Sequence, residues 1–204
     1  MEPKKISENV TLYCADPIIY VVTGFLSDKE CEAFIEVGEG KMARSTVITE
    51  GEHEVHEART SSNCWVPHDS NETVHEASKR FSILAKMPIN NAEQYQLVFY
   101  GPGNEYKPHF DAFDKNTEEG RNNWFPGGQR VLTALAYLND VEEGGETDFP
   151  DVGVSVKPNK GDVVIFHNCI EGTSDINPNA LHGGSPVINC LLYTSPSPRD
   201  YTRS

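Results

Sequence analysis

From Tyr95 onward the chain is a succession of short β-forming runs, each cut off by Gly or Pro. They cover 95–100, 106–111, 130–138, 152–156, 162–167 and 186–189. Many short strands at this spacing predict a β-sandwich or a jelly roll. No internal repeat is visible. Upstream, Ile18 to Val22 is a compact β-rich run suited to a buried strand. Ser27-x-x-Glu30 is a capping box, and Cys31, Phe34 and Ile35 form the apolar stripe of a helix behind it. A second helix is expected to start near Asn71. Val74, Ala77, Phe81 and Leu84 share one face, and Pro88 stops it. Both helices are read as supports for the sheet. Ala112 to Gly128 is long, polar and glycine-rich, so a flexible loop is expected there. Its Trp124 and Phe125 either pack over a substrate or anchor the loop to the body.

At 204 residues the chain reads as one domain with a real core. Its formal charge of −14 excludes a general nucleic-acid binder, because no basic stripe exists to neutralise phosphates. That acidity suits either basic peptides or plain solubility. No apolar run approaches the roughly 20 residues needed to span a bilayer. Met1 to Ser7 lacks the apolar core of a signal peptide. The chain as written reads as cytoplasmic, or as resident in the endoplasmic reticulum lumen if a targeting segment is missing. The sequons at Asn9 and Asn71 matter only in the second case. Cys14, Cys31, Cys64, Cys169 and Cys190 show no metal-pair spacing, and a buried thiol is the default reading of Cys31. Nothing in the pattern specifies an oligomeric state.

The chemistry-bearing residues lie within the β-runs. His109-Phe110-Asp111 is followed 71 residues after Asp111 by His182-Gly183-Gly184. Two imidazoles and one carboxylate can hold a ferrous ion on one face and leave the other positions open. In a strand, residues two apart point the same way, so His109 and Asp111 can grip one ion together. A distant strand can supply the third ligand. A rival metal reading, His53-Glu-Val-His56-Glu, misses the H-E-x-x-H spacing by one residue and has no third ligand nearby in sequence.

Around these residues, Tyr100-Gly-Pro-Gly-Asn-Glu-Tyr106-Lys-Pro-His109-Phe-Asp111 resembles the prolyl 4-hydroxylases, a branch of the Fe(II)/2-oxoglutarate dioxygenases. So, in order, do Gln129-Arg130-Val-Leu-Thr133-Ala-Leu-Ala-Tyr137, Gly144-Gly-Glu-Thr147-Asp-Phe149, Val156 to Phe166, and Leu181-His182-Gly-Gly-Ser-Pro186. Phe25 to Cys31 and Arg59-Thr-Ser61 extend the resemblance upstream. It implies a mainly β fold with flanking helices, whose core is a double-stranded β-helix (jelly roll) with iron at its open end. It implies an enzyme hydroxylating peptidyl proline at C4 while 2-oxoglutarate is decarboxylated to succinate. His109, Asp111 and His182 would ligate Fe(II). Tyr100 and Tyr137 match positions whose hydroxyls face 2-oxoglutarate, and Thr133 would line the same pocket. Arg59, Ser61, Tyr106 and Arg130 match positions facing the peptide. Dioxygen and L-ascorbate complete the cofactors, and a proline-containing peptide is the expected partner. The alternatives are a related dioxygenase acting on another peptide residue or a free amino acid, and a truncated non-catalytic peptide-binding module.

The expected organisation is a single domain over 1–189, with support at about 12–90 and the jelly-roll core at about 94–189. Residues 190–204 look foreign to it. The Ser-Pro pairs at 195–198 are expected to halt any strand. The resemblance also requires a Lys or Arg about ten residues after the last histidine ligand, to pair with the far carboxylate of 2-oxoglutarate. Leu191 and Leu192 stand there. A tail of translated adapter or vector sequence is the expectation, and reading the genomic locus decides it.

Overall fold

The computed structural model describes residues 2–45, 47–49, 52–54, 59–124, 127–189 and 192–197. Its strands are β1 (Lys4–Lys5), β2 (Val10–Ala15), β3 (Ile18–Val22), β4 (Ala43–Arg44), β5 (Val47–Thr49), β6 (Glu52–Glu54), β7 (Ser62–Val66), β8 (Tyr95–Tyr100) and β9 (Tyr106–His109). They continue as β10 (Leu132–Tyr137), β11 (Glu143–Gly144), β12 (Thr147–Phe149), β13 (Val154–Val156), β14 (Val163–His167), β15 (His182–Gly184), β16 (Val187–Asn189) and β17 (Leu192–Ser197). The helices are α1 (Asp28–Gly38), α2 (Glu72–Ala85) and α3 (Glu118–Trp124).

A large antiparallel sheet runs β1-β2-β3-β14-β10-β17-β8-β7-β4, and a small one runs β13-β12-β15-β9. Strand periodicity decides which side chains meet which layer. On β14, Val163 and Ile165 join one core with Phe34, Val74, Ala77 and Phe81 of the helices. Their neighbours Val164 and Phe166 face the other way, into a core shared with Phe149 and Val156 of the small sheet. On β10, Leu132, Ala134 and Ala136 take the helix side, which leaves Thr133 and Tyr137 on the side of the small sheet. Burying one side chain the size of Phe166 contributes about 1.5–3 kcal/mol, and Phe166 is fully buried. A mainly β jelly roll backed by helices is therefore present.

Local chemistry explains the helix starts. Ser27 and Glu30 cap α1 reciprocally, with the Ser27 amide donating to Glu30 Oε2 at 2.9 Å. Asn71 caps α2 by accepting from the Val74 amide at 2.8 Å, so the Asn71 sequon side chain already has a structural task. The α2 helix ends at Ala85 through a left-handed Lys86, two residues before Pro88. No helix among the described residues is long and apolar enough to cross a membrane.

Three expectations need correcting. The strand expected over 106–111 stops at His109, because its partner β15 begins at the paired residue His182 and the ladder runs out. The stretch Ala112 to Gly128 is not without structure. It contains α3, and Gly120 packs so tightly on the Asp114 backbone that a Cβ would lie 1.8 Å from the Asp114 carbonyl oxygen. The first Ser-Pro pair does not halt the sheet, and Pro198 lies outside the described residues. Leu192–Ser197 forms β17 between β8 and β10, and pairing to β8 ends at Thr194. Pro196 falls past that point, where β17 has a single neighbour and proline is tolerated. Of the rival histidine pair, His53 lies in the β5–β6 hairpin opposite Ile48. His56 lies outside the described residues, as does Phe125.

Candidate metal centre

His109 closes β9 and His182 opens β15, and the two are direct partners across the antiparallel ladder. That register places the ring centroids 4.5 Å apart. The strands approach closely at Gly183, where a Cβ would lie 2.8 Å from the Tyr106 carbonyl oxygen and 3.0 Å from the Pro108 nitrogen. Only glycine admits that approach. Asp111 sits in the bend after β9. Its Oδ1 lies 3.4 Å from His109 Nε2 and its Oδ2 3.5 Å from His182 Nε2. One ligand-type atom from each of the three residues lies within 4.8 Å of the others.

The donor set fits a metal ion. His109 Nδ1 lies 2.9 Å from the Lys107 carbonyl oxygen and His182 Nδ1 lies 3.0 Å from that of Ala180. A carbonyl only accepts, so each Nδ1 carries the proton. In the neutral ring the Nε2 lone pair is then left facing the shared point, a tautomer selection typical of metal-binding histidines. Burial opposes charge on all three groups, but their mutual interactions reorder them. Burial would raise Asp111, yet where Nε2 is protonated as well, the His182 charge and hydrogen bonds from both imidazoles hold it well below the usual carboxylate range. Burial and the neighbouring His182 push His109 down. Burial also works against the His182 cation, but Asp111 more than offsets it and holds that imidazole above its ordinary value. Such a site keeps an anionic carboxylate available at neutral pH.

Thr133 projects from β10 to the same place and donates from Oγ1 to Asp111 Oδ2 at 2.6 Å. Gln129 is fully buried, and its amide spans Phe113, accepting from the backbone N–H at 2.8 Å and donating to the carbonyl at 2.9 Å. The segment just after Asp111 is thereby held to the body. Sequence reasoning assigned no role to Gln129 or to Asn168, which stands behind Thr133. A neutral amide carries no charge or periodic signal to single it out.

The other anticipated residues fall into two groups. Arg59, Tyr106 and His109 form a stack. The Arg59 guanidinium lies 4.6 Å over the Tyr106 ring, and that ring lies 3.6 Å from the His109 ring at 21°. Arg59 also donates to Gln96 Oε1 at 2.9 Å and to Ser61 Oγ at 3.3 Å. Burial pushes the Tyr106 hydroxyl up to about 12. Arg130 stands apart from this stack, paired with Glu93 at 2.6 and 3.1 Å and with its guanidinium 4.7 Å over Phe113. Tyr100 is buried on β8 with its hydroxyl beside Gly184. Tyr137 is wholly buried, its hydroxyl 2.7 Å from Thr147 Oγ1.

A jelly roll with two histidines and one aspartate converging on a point near its strand ends is the architecture of metal-dependent oxygenases. The sequence profile of the 2OG-Fe(II) oxygenase superfamily matches residues 95–195. Probable prolyl 4-hydroxylase 6 of Arabidopsis thaliana is 36% identical over 84% of this chain and 65% of its own length. Probable prolyl 4-hydroxylase 10 of the same plant is 35% identical over 88% of this chain and 68% of its own length. The chain thus spans about two thirds of the length of these curated relatives. Among solved structures, the 2OG complex of the viral collagen prolyl hydroxylase from Paramecium Bursaria Chlorella virus-1 superposes with a TM-score of 0.70 at 27% identity, covering 91% of this chain and 97% of that one. The chain belongs to the 2-oxoglutarate/Fe(II) oxygenase superfamily, in its prolyl 4-hydroxylase branch. That superfamily works with Fe(II), 2-oxoglutarate and dioxygen.

Proposed function

We propose that this chain is the catalytic domain of a peptidyl-proline 4-hydroxylase, with His109, Asp111 and His182 as its iron ligands. The convergence of these three side chains carries the reading. Iron, when bound, supplies the oxidative chemistry that inserts oxygen into an unactivated C–H bond. The protein's residues supply the geometry. The Lys107 and Ala180 carbonyls fix both rings with Nε2 inward, and Thr133 steadies the carboxylate. The Arg59–Tyr106 stack borders the site on the His109 side, and with Ser61 it suits a peptide backbone or a proline ring, which packs well against aromatic faces. Arg130 is proposed as a second peptide contact, and L-ascorbate as the reductant that maintains the iron.

The fit to 2-oxoglutarate is less complete. Tyr100, Tyr137 and Thr147 offer hydroxyls on the inner wall. A buried carboxylate also calls for a cation. The register position opposite Tyr100 is Leu192. The arginines described around the centre, Arg59 and Arg130, are engaged with Gln96 and Glu93. The position of Leu192 favours a second reading, a domain that binds proline-containing peptides without turning them over. The proposed domain spans residues 1–189, and the segment Leu192–Ser197 adds a strand, β17, to its large sheet.

The test is succinate formation from 2-oxoglutarate with proline-rich peptides, on native protein and on His182→Ala. Peptide-dependent succinate that vanishes in the variant supports the hydroxylase. Peptide binding without succinate establishes the binding module, and neither result overturns both.

A further inference from the structure

We propose that Asn168 is a positioning residue for the metal centre, acting on Asp111 through the Thr133 hydroxyl. This rests on the reading of Asp111 as a metal ligand. Asn168 follows the end of β14 and is 1% exposed. Its Nδ2 lies 2.9 Å from Thr133 Oγ1, and Thr133 Oγ1 lies 2.6 Å from Asp111 Oδ2. Hydrogen-bond chemistry allows one direction along this chain. An ionised carboxylate only accepts, so the single proton of Thr133 goes to Asp111. Thr133 Oγ1 then has only lone pairs to offer its other neighbour, and that neighbour must donate. An amide nitrogen does so, whereas a carboxylate of the same shape cannot.

Two observations mark this arrangement as directed at the site. First, Asn168 Oδ1 is buried and meets no donor. An unpaired buried acceptor costs about 1–3 kcal/mol, a cost borne by an orientation that keeps the amide nitrogen on Thr133. Second, the Asn168 backbone is held from both sides, its N–H donating to the Val131 carbonyl at 2.9 Å and its carbonyl accepting from the Asn177 N–H at 2.9 Å. The amide is therefore anchored independently of the group it serves. With its proton directed, Thr133 occupies one lone pair of Oδ2 and restricts carboxylate rotation. Asp111 then presents fewer arrangements to an incoming ion, and less entropy is lost on binding.

Cobalt(II) binding tests this without any turnover, read by titration calorimetry and by the visible absorption of the bound ion. Thr133→Val and Asn168→Ala should each weaken cobalt on the order of 10–100-fold, the range for orienting partners of metal ligands. Thr133→Ser keeps the hydroxyl and should bind like the native chain. Because the two residues act in series, the double variant should be no weaker than Thr133→Val alone. A merely structural Asn168 would give additive losses. Thermal unfolding of the metal-free variants separates misfolding from a site effect. Cobalt affinity within twofold of native in a folded Asn168→Ala protein, or additive losses in the double variant, overturns the relay. Native cobalt binding that survives unchanged in His182→Ala overturns the metal site itself, and the relay with it.

Discussion

Gly183 lies against the carbonyl of Tyr106 so closely that a side-chain carbon on it would sit 2.8 Å from the oxygen. The contact joins β15 to β9, and those two strands carry His182 and His109.

Gly183→Ala should therefore act on the site before it acts on the fold. The added methyl forces β15 away from β9 and separates the imidazoles. Cobalt affinity is expected to fall on the order of 10–100-fold, with a much smaller change in melting temperature. Calorimetric titration beside a thermal scan checks this, and an unchanged affinity would refute it.

Leu192 holds the register position opposite Tyr100. Leaving a buried charge without its partner costs on the order of 3–5 kcal/mol, so the native chain should bind 2-oxoglutarate weakly. Leu192→Lys or Leu192→Arg places a cation at the register position opposite Tyr100 and should tighten binding by tenfold or more, at about 1.4 kcal/mol per decade. A low-micromolar calorimetric affinity for the unaltered chain would contradict the premise.

Removal of residues 190–204 should be severe rather than neutral. That deletion takes out β17, which pairs with β10 on one side and β8 on the other. Their backbone groups would be left without partners inside the sheet. The loss should be comparable with the whole stability of a typical domain, about 5–15 kcal/mol. Urea unfolding of the shortened protein gives the answer, and a cooperative transition near the native midpoint would show β17 to be dispensable.

Alkaline conditions should loosen the helix–sheet core. Burial pushes the Cys31 thiol up to about 11 and the Tyr95 hydroxyl up to about 12. Both are acids whose folded-state values lie above their unfolded ones of 9.0 and 10.0. In that interval the unfolded chain has released a proton that the folded chain still holds, so stability falls as pH rises. It should be intact below about pH 9 and decline from pH 9 to 12, following the values in the core. Cys31→Ala should flatten the first part of the decline in urea midpoints. An equal slope in the variant would assign the effect elsewhere.

Much of the architecture was legible in the sequence because it rests on short-range chemistry. Ile18–Val22 and Tyr95–Tyr100 form strands with the expected bounds. The Ser27 capping box and the Asn71 start hold because a cap is a contact between residues three apart. The candidate triad His109, Asp111 and His182 was legible for a different reason, since a metal site requires particular residue types. The strand argument for His109 and Asp111 picked two side chains that do converge, but by a route the structure does not take, as Asp111 lies in the bend beyond the ladder. The seven-residue helix α3 was masked by glycine and polar content. Its packing comes from Gly120 against Asp114, a contact that composition does not reveal.

By itself the sequence determined the strand-rich core, the capped helices and the three ligand-type residues, since periodicity, capping and metal preference are written in residue identity and local spacing. Only the tertiary structure decided that His109 and His182 face each other, that Gly183 is the point of closest approach, and that Asn168 stands behind Thr133. Those relations join residues 35 to 77 positions apart. They follow from strand register and layer packing, which are settled cooperatively when the whole sheet closes.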